Sequence, residues 1–370
     1  MLANFEEKIT WLERESLIRT LPLWDASYCN FSSNDYLGLS QCKSVIEAGC
    51  SAAITYGAGS TGARLLSGNL PLFEKFEAQI AKDKDTEGAL LFNSGFQANS
   101  GTLEALTDKD SVVLFDKLNH ASMYQGVFAS RAKLLRFEHL DYSQLEDLLK
   151  KNAEKELLIA SETVFGMDGD TADMAALSFL SEKYGALLYL DEAHATGLYG
   201  AHGYGMSTDF VLDPKATVVM GTFSKALGSS GAYVACSDVI KKYLIQKCRG
   251  FIYSTALSPF CIGAAQHAWK LVKGLDTARK DILENASFLR QALRDAGYLV
   301  LGAGTNIVPI VFERIDDMVA VKGVLESKKI IVSGIRKPTS PTTRIRIAVS
   351  AVHSRGDVSR LLGAVEYARK

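Results

Sequence analysis

An α/β fold, built from one large, mostly parallel sheet wrapped by helices and a smaller C-terminal α/β domain, is what the order of apolar runs in this chain predicts. Three observations carry the expectation. From about Asn69 to Ala235, short runs that are apolar at every position alternate with helical stripes. Beyond Pro259 the pattern changes to long helical stretches followed by a second set of strands. A length of 370 residues leaves room for roughly two domains around a sizeable core.

The elements follow in chain order. Residues 1–40 read as an N-terminal arm: MLANFEEKITWLERESLIRTLPLW is amphipathic and acidic early on, without the basic flank and unbroken apolar stretch of a signal peptide. A large domain is expected over 41–258, with strands at Ala89–Phe92, Val112–Phe115, Leu157–Ala160, Ala186–Leu190, Val218–Thr222 and Gly231–Ala235. Being apolar on both faces, they belong in a covered sheet. Pro71 marks a helix start, with Leu72, Phe76 and Ile80 on one face. Ser143 and Glu146 have capping-box spacing ahead of Leu148 and Leu149. In the small domain, 259–370, helices are expected at Phe260–Lys273 and Thr277–Ala296. Strands should follow near Asn306–Phe312, Ile330–Ile335 and Arg344–Val349. A last helix opens at Asp357 and carries Val358, Leu361, Leu362 and Val365.

Composition narrows the function classes. Lysine plus arginine number 41 against 42 acidic residues, a net charge of −1, so nothing here is a footprint for nucleic acid or an anionic membrane. No run is long enough to span a bilayer. The six cysteines, Cys29, Cys42, Cys50, Cys236, Cys248 and Cys261, form no CxxC pair and no metal-ligand cluster, and read as reduced thiols in a cytoplasmic protein without a metal site.

Chemistry gathers at strand ends. In VVMGTFSKALGSSGAYVA a buried strand leads into Thr222, Ser224 and Lys225. A lysine there is costly to bury unless its amine is neutralised or paired, and a Schiff base with an aldehyde cofactor would do both, although a surface lysine at a turn is the commoner case. ALLYLDEAHATG puts Asp191 at the carboxyl end of a strand, where open α/β sheets hold ligands. That carboxylate suits a pyridinium nitrogen, and His194 a phenolic oxygen. DEAH alone resembles a helicase Walker B box, but no GxxxxGK[ST] precedes it. FNSGF leads a strand into a helix whose Gly95 and Phe96 amides could take a phosphate, unless it is a plain turn. His120 in LNHAS follows another strand, placed to stack on a ring and pass a proton, or simply to cap a helix. RIRIAVSAVHS sets Arg344 and Arg346 on one strand face, as a carboxylate clamp or as a solvated edge. GAGSTGARLLSGN is equally a flexible cover or a turn before Pro71.

In this order, with NFSSNDYLGLS, GAGSTGARLLSGN, FNSGF, LNHAS, MDGD, DEAHATG, GTFSKALG, IYSTALSP, IRKPTSP and RIRIAVSAVHS, the chain resembles the α-oxoamine synthases along nearly its whole length. These are pyridoxal 5'-phosphate enzymes of fold type I. The resemblance implies an aspartate-aminotransferase-like architecture with a seven-stranded large-domain sheet, and a homodimer with shared active sites. It makes Lys225 the cofactor-bearing lysine and α-proton base, Asp191 the pyridinium partner, His194 the phenolate partner and His120 the stacking residue. Gly95, Phe96 and Thr222 become phosphate ligands, with Ser254 or Thr255 reaching in from a second subunit. Asn34 and Arg346 become the carboxylate clamp.

Two departures stand out. The usual VFSMDGD is VFGMDGD here, removing a hydroxyl at Gly166 that His194 and Glu162 would have to replace. An arginine-rich stretch that contacts the acyl carboxylate in some members is reduced to Arg19. IRKPTSP is similar to the IRPPTVP of the members that join L-alanine to pimeloyl-CoA, or to a pimeloyl-carrier-protein thioester, in biotin synthesis. Thr339 then takes the acyl-contact position, and Lys337 replaces a proline. The rival readings are a member that uses glycine or serine with another acyl-CoA, and a non-catalytic partner subunit.

Overall fold

The computed structural model describes residues 1–15, 17–337 and 339–368; Pro338 of the IRKPTSP motif lies outside them. The large sheet has seven strands in the order Gly88–Phe92, Ala232–Cys236, Thr217–Thr222, Leu187–Asp191, Glu156–Glu162, Ser111–Asp116 and Lys133–Phe137. Neighbours run parallel except at Ala232–Cys236, which is antiparallel to both of its partners. Alternation along each strand feeds two cores. Val113 and Phe115 pack with Ala98, Leu103, Met123 and Val127 from the helices Gly95–Leu106 and Ala121–Ser130. Val112 and Leu114 pack on the opposite face with Leu145, Leu149, Leu177 and Leu180. Both faces are therefore dry, as runs apolar at every position require.

Six of these strands agree with the sequence pattern to within a residue or two, and the seventh, Lys133–Phe137, did not show in it. KLLRF lies at the sheet edge, and its Lys133 and Arg136 are exposed, which hides the apolar run.

A four-stranded antiparallel sheet, ordered Ser333–Ile335, Thr343–Ala348, Ile307–Phe312 and Leu299–Val300, carries the C-terminal part. The single strand expected over Ile330–Ile335 is two. Ile330–Ile331 pairs in parallel with Cys29–Asn30, whereas Ser333–Ile335 joins the four-stranded sheet. This split ties the segment after Asn30 to the C-terminal sheet: Phe31 N donates to Ile331 O (2.9 Å), and Ala348 N donates to Phe31 O (2.8 Å).

Two helix starts also differ from expectation. Asp141, not Ser143, caps Tyr142–Lys151, and Glu146 turns to Lys183 and Tyr184. Ser354, not Asp357, precedes Arg355–Tyr367, with Asp357 completing the capping box three residues later. In both places two candidate caps lie within three residues, and spacing alone does not choose between them.

Beneath the site, Lys84 and Glu192 form an ion pair with both side chains fully buried. The Lys84 ammonium also donates to Tyr204 O (2.8 Å) and Ser207 Oγ (2.7 Å), while Ser207 N donates to the other Glu192 oxygen (2.6 Å). The segment between Asp191 and Ser207 is thus pinned from below. Removing one partner leaves a buried charge, so Lys84→Met should lower unfolding free energy by about 3–5 kcal/mol in urea titrations. Pairing it with Glu192→Leu should recover much of the loss.

Candidate active site

At the carboxyl ends of the parallel strands lies a cavity of about 220 Å³, many times the ~30 Å³ share of one water. Its walls include Gly95, His120, Glu162, Asp191, His194 and Lys225. Residues from five separate loops meet there because a parallel sheet delivers every strand end to one edge.

Asp191 ends the strand Leu187–Asp191 and accepts from Asn99 Nδ2 (2.7 Å) and Ala193 N (2.8 Å). Tyr189 hydroxyl donates to Asn99 Oδ1 (2.8 Å), which fixes the amide so that its nitrogen faces the carboxylate. Asn99 was missed in the sequence. Its only signal there was a polar residue on the inward face of the helix Gly95–Leu106.

The Asn99 amide also donates to Ser122 Oγ (3.0 Å), which leaves that hydroxyl's proton for His120 Nδ1 (2.7 Å), where Ser122 N donates as well (3.3 Å). With Nδ1 accepting, neutral His120 carries its proton on Nε2. His120 therefore both caps the helix Ala121–Ser130 and lines the cavity. Burial lowers its pKa, with Asp191 opposing and Lys225 reinforcing the shift.

Burial likewise draws the Lys225 amine down to about 8, against the pull of Asp191 and Glu162. Burial and the Asp191 charge push Glu162 up to about 8. A partly neutral amine and a partly protonated acid thus face one cavity. His194 is held neutral by burial and by the Lys225 and Arg346 charges, and its Nδ1 bonds the Tyr36 hydroxyl (2.7 Å).

Gly95 and Phe96 open the helix Gly95–Leu106, where first-turn amides have no carbonyl one turn back to bond. Ser94 caps it by accepting from Gln97 N (3.1 Å). Thr222 is beside them but donates to Gly231 O (2.8 Å), with Ser224 N donating to its oxygen (3.2 Å). Ser254 and Thr255 lie away from the cavity wall in this single chain. Ser254 Oγ accepts from Gln97 Nε2 (2.7 Å), Thr255 O accepts from Asn93 Nδ2 (2.7 Å), and Thr255 is exposed.

Arg346 is 3 % exposed, so the solvated-edge alternative does not hold. Its Nε donates to Gly166 O (2.5 Å), and its Nη2 to Asn34 Oδ1 (3.0 Å) and the Tyr36 hydroxyl (3.1 Å). Arg344 instead grips Asp168 Oδ1 (3.0 Å) and Met167 O (2.8 Å). Arg19 and Thr339 meet each other, Nη2 to Oγ1 at 3.1 Å, at an exposed site, and neither lines the cavity. In the 57–69 segment, Arg64 is anchored on Glu77 (2.7 Å) and Asn69 (2.6 Å).

Residues 26–365 match the model of the family "Aminotransferase class I and II". Two relatives are named "Putative 8-amino-7-oxononanoate synthase". One, from Paramagnetospirillum magneticum, is 46% identical over 91% of this chain and 87% of its own length. The other, from Desulfosudis oleivorans, is 41% identical over 92% and 88%. Among solved structures, 8-amino-7-oxononanoate synthase from Francisella tularensis matches with TM-score 0.82 and 29% identity over 93% of this chain and 98% of that one. Serine palmitoyltransferase from Sphingomonas wittichii gives 0.90 and 27% over 99% and 96%. The chain belongs to the class I and II aminotransferase family and, within it, to the α-oxoamine synthases.

The residues present fit pyridoxal phosphate. Helix-start amides and hydroxyls stand at one end of the cavity, a carboxylate held by two N–H donors lies within it, and a lysine amine drawn down by burial faces them.

Gly166 has its own geometric reason: a Cβ added there would overlap the His194 ring. The space of the family's serine is filled by imidazole, so the hydroxyl is not simply missing. Gly166→Ser should displace His194 at a cost of about 1–3 kcal/mol, weakening pyridoxal phosphate binding about tenfold or more in a titration of the apoprotein.

Proposed function

We propose that this protein joins L-alanine to a pimeloyl thioester with loss of carbon dioxide, giving 8-amino-7-oxononanoate for biotin synthesis. The observation that carries the reading is the convergence of Lys225, Asp191 and His120 on one cavity beside the Arg346–Asn34 pair, in a chain 46% identical to a relative bearing that enzyme's name. Pyridoxal 5'-phosphate is the cofactor, and when bound it supplies the electron sink for the pair released at the amino acid's α-carbon.

The chain's own groups do the rest. Arg346 Nη1, which makes no hydrogen bond among the described residues, is the donor left for the substrate carboxylate, with Asn34 and Tyr36 holding the guanidinium in plane. Lys225, its pKa brought near neutrality, takes the α-proton. The α-carbon bonds to the thioester carbonyl carbon, the C–S bond breaks with its electron pair going to sulfur, and the thiolate departs to take a proton from solvent. His120, with a proton on Nε2, steadies the carbonyl oxygen as charge gathers there. The carboxylate then leaves as carbon dioxide, and the α-carbon recovers a proton from Lys225.

Phosphate contacts are assigned to Gly95, Phe96 and Thr222, pyridinium and phenolate contacts to Asp191 and His194, and acyl-chain contacts to Arg19 and Thr339. The active species is a homodimer in the cytoplasm, with Ser254 or Thr255 completing the partner's phosphate site. Exposed Phe96, Tyr253 and Thr255 around the helix start support that face as shared.

Steady-state assays crossing alanine, glycine and serine with pimeloyl-, succinyl-, acetyl- and palmitoyl-CoA test the reading. The expected outcome is preference for alanine with pimeloyl-CoA; preference for serine with palmitoyl-CoA would move the protein to the serine palmitoyltransferase type. Lys225→Ala should lose turnover and the bound cofactor's visible absorbance together.

A further inference from the structure

Outside the cavity, His139 stands between two carboxylates. Its Nδ1 lies 3.0 and 3.1 Å from the oxygens of Asp116, and its Nε2 lies 3.0 Å from Asp170 Oδ2. A neutral ring has one N–H and can serve only one of them; an imidazolium serves both. Asp116 is 1% exposed and also accepts from Leu118 N (2.9 Å) and Leu140 N (3.0 Å), so it is fixed. The Oδ1 atom of Asp170 is buried with no hydrogen-bond partner among the described residues, which leaves His139 as the group that neutralises this carboxylate. Other titratable groups close by are the Lys117–Glu138 ion pair on the flanking residues and the neutral Tyr142, whose hydroxyl accepts from Asp173 N (2.7 Å).

Asp170 closes the loop 165–170. Phe165 N donates to Asp170 O (3.0 Å), Gly169 N donates to Phe165 O (2.9 Å), and the Phe165 ring meets the His139 ring edge-on at 4.5 Å. The loop's other side is held by the C-terminal part: Arg344 on Met167 and Asp168, Arg346 on Gly166 O, and Thr305 Oγ1 on Gly169 O (2.7 Å). His139 is thus the large-sheet anchor of the loop whose carbonyl orients Arg346.

We propose that His139, as an imidazolium, is a positioning residue for the substrate-carboxylate pocket, acting through Asp170 to fix the 165–170 loop against Arg346. This rests on the reading above that Arg346 takes the amino acid's carboxylate. Burial works against the charge on His139, but the hydrogen bonds to Asp116 and Asp170 outweigh it and raise its pKa to about 9. Because the folded value exceeds the unfolded ~6.5, the stabilisation is complete below pH 6.5 and fades as pH rises through about 9.

The test uses the holoenzyme and its His139→Gln, Asp170→Asn and Arg346→Lys variants. His139→Gln and Asp170→Asn should each raise KM for the amino acid about tenfold while kcat stays within about twofold, a loss of ground-state binding. Wild-type KM should climb, and Tm fall, as pH passes 9, and both trends should flatten in His139→Gln. Wild-type KM and an unaltered pH profile in both loop variants, with Arg346→Lys impaired, would overturn the role of His139 alone. Unchanged KM in Arg346→Lys would instead remove Arg346 from substrate binding, and the proposal with it.

Discussion

The arrangement depends on one physical constraint, the burial of the Lys225 amine at the edge of a sheet whose two faces are dry. An ammonium there loses its hydration, so burial favours the neutral amine, while Asp191 and Glu162 oppose that by favouring the charge. The same low dielectric raises Glu162 and keeps His194 neutral. Each of these groups is useful because it is partly or wholly out of its ordinary state. Hydrogen bonds then fix orientation: Tyr189 sets Asn99, Asn99 sets Asp191 and Ser122, and Ser122 sets the tautomer of His120. One helix residue, Asn99, joins the two sides of the cavity.

The carboxylate pocket is composite in a different sense. Asn34 and Tyr36 come from the N-terminal segment, Gly166 from a loop of the large sheet, and Arg346 from the C-terminal sheet. They meet because Cys29–Asn30 pairs with Ile330–Ile331, and Phe31 then bonds Ala348. A short two-stranded contact thereby carries the clamp, with the loop 165–170 as the junction gripped from both sheets.

Much of this was legible in order but not in detail. Strands apolar at every position announced a covered parallel sheet, and six of its seven strands stand within a residue or two of expectation. Lys133–Phe137 escaped because an edge strand exposes charge on one side, which breaks the pattern a buried strand shows. Caps at Asp141 and Ser354 escaped because neighbouring residues compete for the same backbone amides. Gly166 looked like a missing hydroxyl, whereas its space belongs to His194, a neighbour only in three dimensions.

By itself the sequence determined which groups exist and at which strand ends they emerge: Lys225, Asp191, His120 and the FNSGF helix start all follow apolar runs, and a parallel sheet sends such ends to one edge. Tertiary structure alone decided protonation and partnership. Those depend on burial and on distances between residues far apart in the chain, as with His139 between Asp116 and Asp170, or Arg346 against Gly166, Asn34 and Tyr36. Local spacing holds no record of such distances, because the electrostatic and hydrogen-bonding terms that set them arise only after the chain has closed around the site.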